Sequence, residues 1–174
     1  RHADAVRTLR SSVELARHLP GGGESGLGVA LLELSLAEAA AGDPCAAEAS
    51  MRRAIDVVTA NAGASSPMAI VLHKRLGQML TEQGRPEEAL RALAEARRRI
   101  DAQPALPQRE DLIVPLLVFE GRALRRLGRL DEAAARFGEA IAVTEGAEVD
   151  PSGALFATLG RAQVSTLQGR FEEA

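Results

Sequence analysis

The sequence has no tryptophan, no tyrosine and only four phenylalanines in 174 residues. Proteins that read single-stranded nucleic acid stack bases on aromatic side chains, so this composition argues against direct nucleic-acid binding. The net charge of −3 argues the same way, because coating nucleic acid or an anionic membrane takes an excess of positive charge. A single cysteine, Cys45, excludes an internal disulfide. Its small and apolar neighbours lead us to expect a core residue rather than a nucleophile, and a reducing, cytoplasmic setting is the simplest home. No apolar run approaches the ~20 residues of a membrane span, and no signal-peptide pattern opens the chain. Histidine is also scarce. His2, His18 and His73 are the only imidazoles, and none pairs with Ser or Cys in a nucleophile motif. HExxH, CxxC, the Walker loop and GxGxxG are all missing. The segment "GGGES" at 21–25 has no strand before it and reads as a link, not a phosphate cradle. These absences leave no catalytic residue, cofactor or metal to expect, so the chain is read as a non-enzyme.

What the chain does have is repetition. It is 46% hydrophobic and 26% charged, a globular balance. The phrases "GRPEEA" (84–89), "GRLDEA" (128–133) and "GRFEEA" (169–174) mark a repeat, and internal repeats decide a fold before any local reading does. The glycines Gly42, Gly84, Gly128 and Gly169 follow one another at steps of 42, 44 and 41 residues. Five residues after each comes alanine (Ala47, Ala89, Ala133, Ala174, and Ala5 by extension). Four further on stands a large apolar residue (Leu9, Met51, Leu93, Phe137), then three later a small one (Ser12, Ala54, Ala96, Ala140). Seven before each glycine is another small residue (Ser35, Gly77, Gly121, Ala162). By this register the chain is expected to cut a repeat at each end.

Spacings of four and then three describe one face of an α-helix. Small residues admit a neighbouring helix and the large one fills the gap. Each glycine supplies the left-handed residue that ends a helix. Asp43–Pro44, Ser66–Pro67 and Asp150–Pro151 each place a capping side chain before a proline at the first helical position. Helices are expected near 2–18, 25–41, 44–60, 67–83, 86–101, 110–127, 130–145 and 152–168, with a ninth cut off. The apolar "LIVPLLVF" (112–119) is read as helix despite Pro115, which is placed in a first turn or at a kink. His73 is expected to pack, not ligate.

This pattern resembles the tetratricopeptide repeat, in the long-period form of kinesin light chains and of bacterial signal-responsive regulators. A HEAT-like repeat has a similar period but lacks the fixed glycine with alanine five residues on. The resemblance implies an all-α fold, a right-handed superhelix (solenoid) of antiparallel helix pairs, in one array of units near 1–20 (partial), 25–60, 67–102, 110–146 and 152–174 (partial). The family's leucine position in the first helix of a pair is Leu34 and Leu76 here but Glu120 and Arg161 in later copies. These two are expected to meet as a partly buried pair.

In the resembled family the first helix of each pair lines a concave groove that holds ligand segments. Carried over position by position, that groove takes Leu32 and Leu36 from one copy and Lys74, Arg75, Gln78 and Thr81 from the next. The third supplies Phe119, Arg122, Arg125 and Arg126, and the last Phe156 and Gln163. Its middle is basic and its ends apolar with Gln and Thr. That suits a protein or peptide partner carrying acidic side chains or a free carboxylate beside apolar anchors. The same arginines also read as an ordinary solvated helix face, with Glu82 and Glu33 as partial counter-charges. Two function classes stay open: a protein- or peptide-binding module, as the sensor or interaction part of a larger regulatory protein that includes transcription regulators, and a structural or oligomerising scaffold. Self-association through the cut ends is a further expectation.

Overall fold

In a computed structural model, residues 2–18, 23–62, 66–146 and 152–169 are described. They form eight helices and, among the described residues, no strand: α1 (His2–Arg17), α2 (Gly23–Ala40), α3 (Pro44–Ala62), α4 (Pro67–Glu82), α5 (Pro86–Asp101), α6 (Arg109–Arg126), α7 (Leu130–Glu145) and α8 (Ser152–Gln168). The bounds fall within two residues of those expected. α2 begins at Gly23, inside the glycine-rich segment read as a link. The Asp150–Pro151 cap, the last copy of the repeated phrase and the ninth helix lie outside the described residues.

Gly42, Gly84, Gly128 and Gly169 all have φ between 73° and 82°, the left-handed region in which a side chain is strained. The turn after the glycine explains the rest of the phrase. Arg85 grips Glu88 with two hydrogen bonds of 2.6 Å, and Arg129 grips Glu132 with the same pair of distances. Neither helix has a side-chain cap hydrogen bond, and in both the Arg–Glu pair three residues apart spans the first turn instead. At the Gly42 turn the residue after the glycine is aspartate instead, and Asp43 accepts a hydrogen bond from the Ala46 amide at 2.9 Å.

The chain divides into two compact units, residues 1–72 and 73–174, the division falling inside α4. In the first unit α2 packs on α1 and on α3. Ser35 and Ala47 hold the close approach of the second pair, and the buried Ser35 hydroxyl donates to the Ala47 carbonyl at 2.7 Å. Met51 and Ala54 are fully buried as the register requires. In α1 the register is not buried: Ala5 and Ser12 are exposed and Leu9 is half-buried. The buried residue of α1 is Val13.

In the second unit Ala89, Leu93, Ala96, Ala133, Phe137 and Ala140 are all 0% exposed. Phe137 lies between two helices. A Cβ on Gly121 of α6 would sit 2.6 Å from its Cε1, and one on Gly160 of α8 would sit 2.5 Å away. The ring thus occupies the space of two missing side chains. Ala162, the expected small position of α8, is only half-buried.

Three sequence expectations are corrected. Cys45 is exposed. It follows Pro44 in the first turn of α3, two residues before Ala47 and so on the opposite side of the helix, and small neighbours did not mean burial. Glu120 does not pair with Arg161, which is exposed. Its carboxylate lies 3.4 Å from Arg136 of α7, and Arg136 also holds Glu139 at 2.8 Å. Burial raises the Glu120 carboxyl above its ordinary value, with Arg136 and Arg97 opposing that shift. Pro115 does not lie in the first turn; it stands in the interior of α6, which continues through it.

Candidate groove on the second unit

α4, α6 and α8 of the second unit present side chains to one shared groove. A cavity of about 560 Å³ is lined by Arg75 and Gln78 of α4, Val114, Pro115, Val118, Phe119 and Arg122 of α6, and Phe156 of α8. A second cavity of about 240 Å³ shares Gln78, Phe119 and Arg122 and adds Thr81, Glu82, Arg125, Arg126 and Gln163. The helical period accounts for this face. Val114, Pro115, Val118, Phe119, Arg122, Arg125 and Arg126 recur three or four residues apart along one side of α6.

Arg122 stands at the junction. Its guanidinium lies 5.9 Å from the Phe119 ring centroid and 5.5 Å from that of Phe156. Cations over aromatic faces are stabilised by the ring quadrupole, by about 0.5–1 kcal/mol where solvent reaches them. Arg125 brings a buried Nε with no acceptor. On α4, Arg75 donates to the Gln78 side-chain oxygen at 3.1 Å, and the Gln78 amide donates to Glu82 at 2.9 Å. Glu82 therefore reaches Arg75 only through a neutral amide. Among the described residues, no ion pair engages Arg122, Arg125 or Arg126. Arginines elsewhere in the unit are mostly clamped: Arg85 to Glu88, Arg97 to Glu139, Arg129 to Glu132 and Arg109 to Asp101.

Of the residues named from the sequence, the structure brings Arg75, Gln78, Thr81, Phe119, Arg122, Arg125, Arg126, Phe156 and Gln163 together around the two cavities. Lys74 is not among the lining residues; it is half-buried, and burial together with neighbouring Arg75 holds its ammonium below the ordinary lysine value. His73 is also half-buried, its Nε2 has no partner, and burial with Arg99 lowers its imidazole. Leu32 and Leu36 are carried by α2 in the first unit, Leu32 half-buried and Leu36 40% exposed.

Sequence reasoning missed the opposite end of the groove. Glu110 and Asp111, in the first turn of α6, line the larger cavity with Ser152 and Gly153 of α8. Stepping back from Val118 by three and four residues reaches Pro115, Val114 and then Asp111, so the helical period carried the signal. Among the described residues neither carboxylate has an ion-pair partner. The groove is therefore acidic where α6 begins, apolar and aromatic in the middle, and basic where it ends.

Residues 71–95 and 114–139 match the tetratricopeptide repeat family. No curated protein matches the chain in sequence. Among solved structures, BtubC (BKLC) from P. vanneervenii is similar with a TM-score of 0.85 and 16% identity, over 99% of this chain and 68% of that one. A kinesin light chain-like protein of nearly identical TPR-like repeats from Podosopora anserina is similar at 0.76 and 18% identity, over 99% of this chain and 81% of that one. The fold is that of tetratricopeptide-like repeat proteins, and in the two matched segments the chain carries the family's sequence pattern as well. Repeats of this family are in general non-catalytic modules of protein–protein interaction. No helix among the described residues is long and apolar enough to cross a membrane.

Proposed function

We propose that this chain is a non-catalytic protein- or peptide-binding module, the sensor or interaction part of a larger cytoplasmic regulatory protein, and that its ligand lies in the groove of α4, α6 and α8. The observation that carries this reading is the unpaired arginine set at Arg122, Arg125 and Arg126, gathered beside exposed aromatic surface in a unit whose other arginines are mostly clamped. Charged donors kept without counter-charges around an apolar wall are poised for a carboxylate with a neighbouring apolar anchor. Phe156, 47% exposed, is the accessible anchor contact.

The test is a titration of blocked and unblocked peptides against the wild-type chain and its Arg122→Glu/Arg126→Glu variant. Peptides with an acidic side chain or a free terminal carboxylate beside phenylalanine or leucine bind wild type and lose binding to the variant. Equal binding to both moves the ligand off this face.

A scaffold role is the second reading. It is favoured by α8, where Leu155, Leu159 and Leu167 are 51–60% exposed on an open side. A mass that rises with concentration, and falls back when Leu155 and Leu159 are made polar, supports it.

A further inference from the structure

We propose that the groove selects a segment of mixed charge: a cation held at Glu110 and Asp111, an apolar side chain against Phe119 and Phe156, and a carboxylate held at Arg122, Arg125 and Arg126. This rests on the groove reading above and narrows its ligand, since an acidic segment alone leaves the first end of the groove unmatched.

The two ends are separate and both unsatisfied. Glu110 and Asp111 line the larger cavity and, among the described residues, have no ion-pair partner. The two carboxylates form an acceptor-rich end, which suits an ammonium or a guanidinium. The opposite end is donor-rich, with the unmatched Nε of Arg125 among its groups.

Carboxylates at a helix start and arginines at its end also match the helix dipole. That match does not remove the field seen by a ligand. The dipole amounts to roughly half a charge at each end, against the two carboxylates of Glu110 and Asp111 at one end and three guanidiniums beside the single carboxylate of Glu82 at the other. A segment with the complementary order of charges fits both ends; a segment of one sign is repelled at one of them.

The spacing sets a length. Glu110 to Arg122 is about 18 Å along the helix at 1.5 Å per residue, and Glu110 to Arg126 about 24 Å. An extended chain rising about 3.3 Å per residue covers that span in roughly five to seven residues. The apolar anchor falls between the two charges, because the Phe119 and Phe156 rings lie between the two ends.

The experiment uses fluorescein-labelled Gly/Ser decapeptides with blocked ends and one central phenylalanine. Charges are placed six residues apart: lysine and aspartate in either order, two aspartates, or two lysines. Both orders are included because side-chain charge does not fix the direction of the chain. At low salt the better mixed peptide binds wild type about three- to tenfold more tightly than the two-aspartate peptide, in line with partly exposed ion pairs. Glu110→Gln/Asp111→Asn brings the two level. Two-aspartate peptides binding wild type as tightly as either mixed one overturn the inference, as does a preference that survives in Glu110→Gln/Asp111→Asn; in both cases the groove reading stands. No binding by any peptide, or binding that ignores Arg122→Glu/Arg126→Glu, overturns the groove reading and this inference with it.

Discussion

The Arg122 guanidinium of α6 lies 5.5 Å from the ring centroid of Phe156 on α8. The contact ties two helices of the groove together through a residue whose charge has no counter-ion. If it holds the guanidinium in place, Arg122→Ala and Phe156→Ala are coupled. A double-mutant cycle of urea unfolding should return about 0.5–1 kcal/mol. Additive effects would mean that the ring and the cation are neighbours without energetic consequence.

Glu120 gives a pH dependence whose sign can be worked out. Burial lifts its folded pKa above the 4.5 of a free glutamate, against the pull of Arg136 and Arg97. The folded state then holds its proton more tightly than the unfolded chain. Its contribution to stability is full below about 4.5 and is lost as pH rises through the raised folded value. Glu120→Gln should flatten that loss and leave the protein at least as stable at neutral pH, because Arg136 and Arg97 both keep Glu139. Urea midpoints measured across pH 4–8 check this. A variant less stable than wild type at pH 7, with the slope unchanged, contradicts it.

Packing around Phe137, and around Leu93 where α5 meets Gly77, should be intolerant of added volume. Gly121→Leu, Ala89→Leu and Ala133→Leu each overfill a fully buried contact, with an expected cost of about 1–3 kcal/mol. Phe137→Leu combined with Gly121→Ala should recover part of the loss of Gly121→Ala alone. Melting temperatures that do not move in the single variants would show that the repeat register is misplaced.

In the first unit, Glu38 is 3% exposed and accepts from Ser50 at 2.6 Å and from Arg10 at 3.0 Å. Ser50→Ala leaves a buried carboxylate short of a donor and should cost about 1–3 kcal/mol. Arg10→Ala should cost less, because the Arg10 side chain is 61% exposed and water can replace it. Denaturant midpoints of the two variants, compared with each other, give the order.

The repeat made much of the fold legible. Gly84 and Gly128 end helices because a left-handed residue is needed there, and that need shows in sequence as a fixed glycine. The alanines at plus five are legible because helix approach tolerates nothing larger. Pairings between side chains of different helices were not legible. Glu120 was assigned to Arg161 by repeat position, yet Arg136 of the next helix is the residue within reach. Cys45 was misjudged because local composition says nothing of which side of a first turn faces inward. In the groove, the basic residues of α6 came from transferred repeat positions. Glu110 and Asp111 did not, because they lie more than two turns before Phe119, the first position transferred, where an acidic first turn reads as dipole compensation.

The groove claim is tested most directly by titrating the better mixed-charge decapeptide against wild type and Arg122→Glu/Arg126→Glu, with far-UV circular dichroism recorded on both. The account predicts saturable binding to wild type that weakens as salt rises, since such charges are screened within about 8–10 Å at ordinary ionic strength. It predicts at least a tenfold loss in the variant at unchanged helical content. Equal affinity for the two proteins, or binding indifferent to salt, would contradict it.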